Sequence, residues 1–134
     1  MDTVKEFLSS SKACLDLLLT PFYPNIVNQN VDLQGKRALV SGANVGLGKA
    51  IAQSLAAQGA EVYMLCRSQK KADAAKLEIV NNTGNDDVFV EVVDFGSLKS
   101  VGEFIERWGH REPRKRNIDI LINNAGESFS PTGT

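Results

Sequence analysis

Ser41-Gly42-Ala43-Asn44-Val45-Gly46-Leu47-Gly48 is the stretch on which the fold turns. Before it, Lys36 to Val40 reads K-R-A-L-V, a short buried strand. After it, Leu47, Ala50, Ile51, Ser54, Leu55 and Gln58 recur at helical spacing, and Gly59 supplies a stop. A strand, a glycine turn and a helix start in that order aim free N–H groups and a positive dipole end at one point, which suits a phosphate. Glycines at 42, 46 and 48 let the backbone turn tightly, approach a pyrophosphate and pack the helix on a sheet. The spacing is G-x-x-x-G-x-G, not the G-x-G-x-x-G of other dinucleotide folds. Gly42, Asn44, Val45, Gly46, Leu47 and Gly48 are therefore the candidate anion contacts, Leu47 through its backbone N–H.

Outward from this run the pattern repeats. Val31 to Gly35 leads into the first strand, and Glu61 to Cys66 forms a second. Ser68 caps a helix through Ala72, Ala75, Lys76, Ile79 and Val80 that ends near Asn82-Thr83-Gly84. Val88 to Val93 is a third strand, closed by Asp94. Ser97 starts a third helix with Leu98, Val101, Phe104, Ile105 and Trp108 as its apolar stripe, and Pro113 marks the loop before a fourth strand, Ile118 to Ile122. The order β-α-β-α-β-α-β with near-continuous apolar strands predicts an α/β fold, a parallel sheet covered on both faces. Right-handed crossovers give the strand order 3-2-1-4 of a doubly wound, Rossmann-type sheet. The crevice beyond the carboxyl ends of the first and fourth strands is then its switch point.

With 134 residues and 43% apolar content, the chain can furnish one core. A net charge of −1 exerts no global pull toward nucleic acid or an anionic membrane. Two cysteines are too few for a disulfide framework and one histidine too few for a metal site, so the chain reads as reduced and cytoplasmic. The basic run Arg107, His110, Arg111, Arg114, Lys115 and Arg116 is interleaved with Glu103, Glu106 and Glu112 and has no aromatic platform, which argues for a solvated helix end and against a nucleic-acid partner. No apolar run approaches the ~20 residues of a membrane span. Residues 3–19 nonetheless carry a helical stripe of Val4, Phe7, Leu8, Ser11, Cys14, Leu15 and Leu18, ended by Pro21 and Pro24. Its polar face mixes Lys5 and Lys12 with Asp2, Glu6 and Asp16, favouring a helix packed on the folded body over weak attachment to the surface of an intracellular membrane.

A second motif stands near the other end: Asp119-Ile120-Leu121-Ile122 closes in Asn123-Asn124-Ala125-Gly126. Together with the glycine run it resembles the short-chain dehydrogenase/reductase family over residues 32 to about 130, and Gly-Ala-Asn-x-Gly-x-Gly followed by Cys66-Arg67 looks most like its retinol-dehydrogenase-like members. The resemblance implies an extension over residues 1–34 and an NAD(P)-binding Rossmann domain over 35–134, the N-terminal half of such a domain. It also implies that Asp94 holds an adenine amino group with Phe95 against the ring. Asn124, Ala125 and Gly126 would pass the adenosine ribose, while Asn123 ties neighbouring strands.

The cofactor is read at the end of the second strand. A carboxylate there would select NAD, but the chain has Leu65-Cys66-Arg67-Ser68. Arg67, 19 positions past Gly48, suits a 2′-phosphate, with Ser68 and Lys70 as further donors. NADP is therefore expected ahead of NAD, although Val45 stands where the family's other NADP marker is basic. The family transfers hydride between the nicotinamide and an alcohol or carbonyl, using a Tyr-x-x-x-Lys pair as acid and base. Tyr23 is followed four positions on by Val27, and Tyr63 by Arg67, so neither supplies that pair and no catalytic residue is assigned. Two readings follow: the cofactor-binding fragment of an oxidoreductase, or a catalytically silent nucleotide-binding or interaction module. In either, the fourth strand is an apolar edge open to further pairing.

Overall fold

The computed structural model describes residues 31–126. It contains β1 (Arg37–Ser41), α1 (Gly46–Ala57), β2 (Glu61–Cys66), α2 (Gln69–Thr83), β3 (Val88–Val92), α3 (Leu98–Gly109), the single turn α4 (Pro113–Arg116) and β4 (Ile120–Ile122). All pairings are parallel and the strand order is β3-β2-β1-β4. The helical segment and membrane contact expected within residues 3–19 lie outside the described residues. Among the described residues no helix is long and apolar enough to cross a membrane.

Strand alternation divides the core into two layers, because successive side chains point to opposite faces. Val40, Val62 and Met64 meet Ala52 and Ala56 of α1 and Ala72, Ala75 and Ile79 of α2. Small residues on both helices let them approach the sheet closely, and burying each larger partner such as Met64 contributes about 1.5–3 kcal/mol. Leu39, Tyr63 and Leu65 point the other way, onto Val101, Phe104 and Trp108 of α3. Both faces are thus covered, as continuous apolar strands require.

The helix ends follow the local chemistry. Ser68 and Ser97 cap α2 and α3 through their hydroxyls, and Gly84, in the left-handed region, ends α2. Five expectations need correction. β3 ends at Val92, one residue short of the expected Val93. β1 runs one residue later than Lys36–Val40, since Ser41 still pairs with Leu65. β4 starts at Ile120 instead of Ile118, because Asp119 bends back to accept the Arg37 backbone N–H at 2.8 Å. Pro113 opens the helical turn α4 where a loop was expected, its missing N–H costing nothing at that position. On α3 the apolar stripe is narrower than its sequence: Leu98 and Ile105 are 93% and 61% exposed, on the flank turned away from β1 and β2.

Arg37 fastens the α3–β4 connection. Its guanidinium donates to the carbonyls of Arg114 and Asn117 and to Glu61 Oε2 at 2.9 Å. The basic run is largely engaged nearby. Arg111 pairs with Glu91, Arg107 donates to the Val92 carbonyl, Arg116 donates to the Gly109 carbonyl, and Lys115 pairs with Glu112.

Candidate functional site

At the carboxyl ends of the strands a cleft of about 630 Å³ opens between the β1–α1 elbow, the β2–α2 and β3–α3 turns, and the segment after β4. Gly42, Asn44 and Val45 line it from the elbow, Arg67 and Ser68 from the second turn, and Asp94 and Phe95 from the third. Asn124, Ala125 and Gly126 close it on the β4 side. Nine of the twelve expected contacts therefore share one cavity; Gly46, Leu47 and Gly48, in the first turn of α1, are not among its lining residues.

Steric demands explain the elbow. Gly42 has φ +65°, and a Cβ there would come within 3.2 Å of Ala125 Cα and of Asn124 Nδ2. Gly46, also at positive φ, has open space where a Cβ would be. Gly48 has none: a Cβ would lie 2.5 Å from Asn124 Nδ2 and 2.9 Å from the Gly42 carbonyl carbon, with the Gly42 oxygen closer still. Only a residue without a side chain lets α1 press this closely on the chain that precedes it.

The helix start it delivers is chemically unfilled. Val45 precedes α1 in an extended conformation and offers no side-chain cap, whereas Ser68 and Ser97 cap α2 and α3. The first-turn amides of α1 thus keep their donors and the positive end of the dipole, the arrangement that receives an anion.

Sequence reasoning missed the post that holds this corner together. Ser41, the one buried polar residue of the described core, accepts the backbone N–H groups of Asn124 and Ala125 at 2.9 Å each and donates to the Ile122 carbonyl at 3.3 Å. The Asn124 side chain returns to the carbonyls of Ser41 and Gly42 at 3.2 and 3.4 Å. The strand-tying task expected of Asn123 therefore falls on Asn124, whose side chain is turned inward and leaves its backbone at the cleft. The signal was available: a hydroxyl closing an apolar strand must find partners once buried.

Two further cleft residues were not expected. Lys71 lines it and Lys70 does not, because Lys71 stands in the first turn of α2 with its N–H on Ser68 Oγ. Cys66 also lines it, and burial pushes its thiol up, partly offset by the backbone N–H groups of Ala43 and Asn44. Asp94 combines both roles weighed for it. Its Oδ1 accepts the Gly96 N–H at 2.9 Å, turning the chain, while its carboxylate still borders the cavity. No group of residues suited to a metal ion occurs among the described residues.

Comparison with known proteins accords with this geometry. A family model described as short chain dehydrogenase matches residues 36–133. Retinol dehydrogenase 11 of Mus musculus is 42% identical over 106 residues, covering 79% of this chain and 33% of the relative. Dehydrogenase/reductase SDR family member 13 of Homo sapiens is 43% identical over 97 residues, 72% of this chain and 25% of the relative. Among solved structures, the N-domain of a bacterial malonyl-CoA reductase with NADP aligns at 34% identity with a TM-score of 0.64, covering 72% of this chain and 18% of that one. The L-sorbose reductase of Gluconobacter frateurii, complexed with NADPH and L-sorbose, aligns at 27% identity and TM-score 0.62, covering 74% and 36%. The chain spans about a third or less of the length of these relatives. By this match it belongs to the short-chain dehydrogenase family.

Proposed function

We propose that the chain is the NADP(H)-binding part of a short-chain oxidoreductase, with residues 35–134 as the nucleotide-binding domain and 1–34 as its extension. The observation that carries this is the uncapped start of α1, held by a side-chain-free Gly48 against Gly42, which lines the cleft. The residues fit the group. The amides of Gly46, Leu47 and Gly48 receive the pyrophosphate, Asp94 accepts from the adenine amine beside Phe95, and the Ala125–Gly126 backbone borders the ribose. Arg67 faces the 2′-phosphate, which ranks NADP above NAD. When bound, the nicotinamide supplies or accepts the hydride.

The substrate class is an alcohol or carbonyl. Its proton must be moved by an acid–base pair such as Tyr-x-x-x-Lys, which these 134 residues do not contain. A second reading is a nucleotide-binding module that turns over nothing by itself. Two cysteines without a disulfide pattern support a cytoplasmic setting.

Fluorescence titration of the purified chain with NADPH and NADH tests the proposal. Saturable binding that is tighter for NADPH is the expected result, and failure of both cofactors to bind would overturn it. The coding sequence past Thr134 separates the readings: an in-frame Tyr-x-x-x-Lys pair supports the oxidoreductase, and an in-frame stop supports the silent module.

A further inference from the structure

Asp94 is held from three directions by the turn between β3 and α3. Its carbonyl accepts the Ser97 N–H at 3.1 Å, its Oδ1 accepts the Gly96 N–H at 2.9 Å, and its own N–H donates to Ser100 Oγ at 2.9 Å. Val93, immediately before it, is buried with Leu39, Tyr63, Leu65 and Trp108. Among the described residues nothing donates to Asp94 Oδ2, and this carboxylate borders the cleft.

The bond from Ser100 is unusual for its place in the helix. Ser100 is the third residue of α3, where a polar side chain ordinarily returns to the N–H of the capping residue. Here that N–H, on Ser97, is already taken by the Asp94 carbonyl, while Ser97 Oγ accepts the Ser100 N–H at 3.3 Å. The Ser100 hydroxyl reaches past the cap to Asp94 itself. It thereby ties the Asp94 peptide to the first turn of a helix that Trp108 seats on the sheet. Ser100 does not line the cleft, so it can act there only through Asp94.

We infer that Ser100 is a positioning residue for base recognition: its hydroxyl fixes the Asp94 backbone so that Oδ2 meets the cleft as an acceptor for an exocyclic amine. The inference rests on the adenine contact proposed above and extends it to a residue outside the expected set. An ionised carboxylate only accepts, so a fixed one favours a base presenting an amine over one presenting a carbonyl at the same position. Released from Ser100, the same carboxylate turns toward solvent and the selection is lost.

Fluorescence titration with NADPH and with its hypoxanthine analogue, in which a carbonyl replaces the adenine amine, decides it. The proteins compared are the wild type, Ser100→Ala, Ser100→Thr, Asp94→Asn and the double variant Asp94→Asn with Ser100→Ala. Ser100 is only half-buried and alanine is the better helix former, so Ser100→Ala stays folded, which circular dichroism checks. The ratio of the two affinities is the readout, because a general loosening of the turn would weaken both ligands alike. The wild type should favour NADPH about tenfold, and Ser100→Ala should reduce this to about twofold or less. Ser100→Thr keeps the hydroxyl and should restore the wild-type ratio. Once Asp94 is asparagine, adding Ser100→Ala should leave the ratio where it stands, since the two side chains act as one unit. A wild type that favours NADPH, with a Ser100→Ala variant that favours it equally, overturns the role of Ser100 alone. A wild type that binds both ligands equally overturns the adenine contact of Asp94 and this role together.

Discussion

Ser41 and Asn124 bind each other in both directions: the Asn124 N–H reaches Ser41 Oγ at 2.9 Å, and Asn124 Nδ2 returns to the Ser41 carbonyl at 3.2 Å. The pair joins the ends of β1 and β4, where the two glycine-bearing motifs must meet. Removing the hydroxyl leaves the amides of Asn124 and Ala125 without their acceptor. Ser41→Ala should therefore cost about 1–3 kcal/mol, read as a lower urea midpoint at unchanged slope. NADPH affinity should fall with it; an unaltered midpoint would remove the clamp from the account.

Gly48 and Gly102 make a matched test of backbone crowding. A Cβ at 48 meets Asn124 and the Gly42 backbone, while at 102, exposed in the middle of α3, it meets nothing within 4 Å. Gly48→Ala should destabilise by about 1–3 kcal/mol and abolish cofactor binding. Gly102→Ala should stabilise by about 0.5–1 kcal/mol and leave binding alone. Equal effects from the two substitutions would mean that close approach at Gly48 does not govern the site.

Arg67→Asp replaces a fork for phosphate by an acceptor for a ribose diol. The NADPH preference should reverse, with NADPH losing roughly ten- to a hundredfold in affinity, the range expected for a charge-assisted contact. Paired titrations with both reduced cofactors measure it. Identical ratios before and after would strip Arg67 of its role.

Glu61 gives the fold a defined acid limit. Burial works to raise its carboxyl, but hydrogen bonds from Arg37 and Tyr63 and the Arg37 charge outweigh it, leaving it below the ordinary 4.5. Between the native and ordinary values the unfolded chain holds more protons. The contribution of Glu61 is thus complete above about 4.5 and is lost as pH falls through the lower native value. Glu61→Gln should be less stable than wild type at about pH 7 and should converge with it in acid. Urea unfolding across this range measures the gap, and parallel curves would contradict the assignment.

Much of this was legible from short-range chemistry. Ser68, Ser97 and Gly84 announce helix ends because each satisfies backbone groups within a few residues, and Gly42 and Gly48 announce the elbow because no side chain fits. What was illegible depends on neighbours distant in sequence. Leu98 and Ile105 share the period of Trp108, but periodicity does not reveal how far the sheet extends beneath a helix. Asn123 and Asn124 are chemically identical, and only the position of Ser41 decides which one turns inward. Lys70 and Lys71 differ by about 100° around α2, and which faces the cleft follows from its cap.

Trp108 is the sole tryptophan of the chain. It sits edge-on to Tyr63 with ring centroids 5.0 Å apart, lies under the Arg111 guanidinium and donates its indole N–H to the Arg116 carbonyl at 3.0 Å. It does not border the cleft. The wavelength of its emission consequently serves as a built-in gauge of whether α3 remains seated, and a red shift during a titration would signal unfolding instead of ligand uptake.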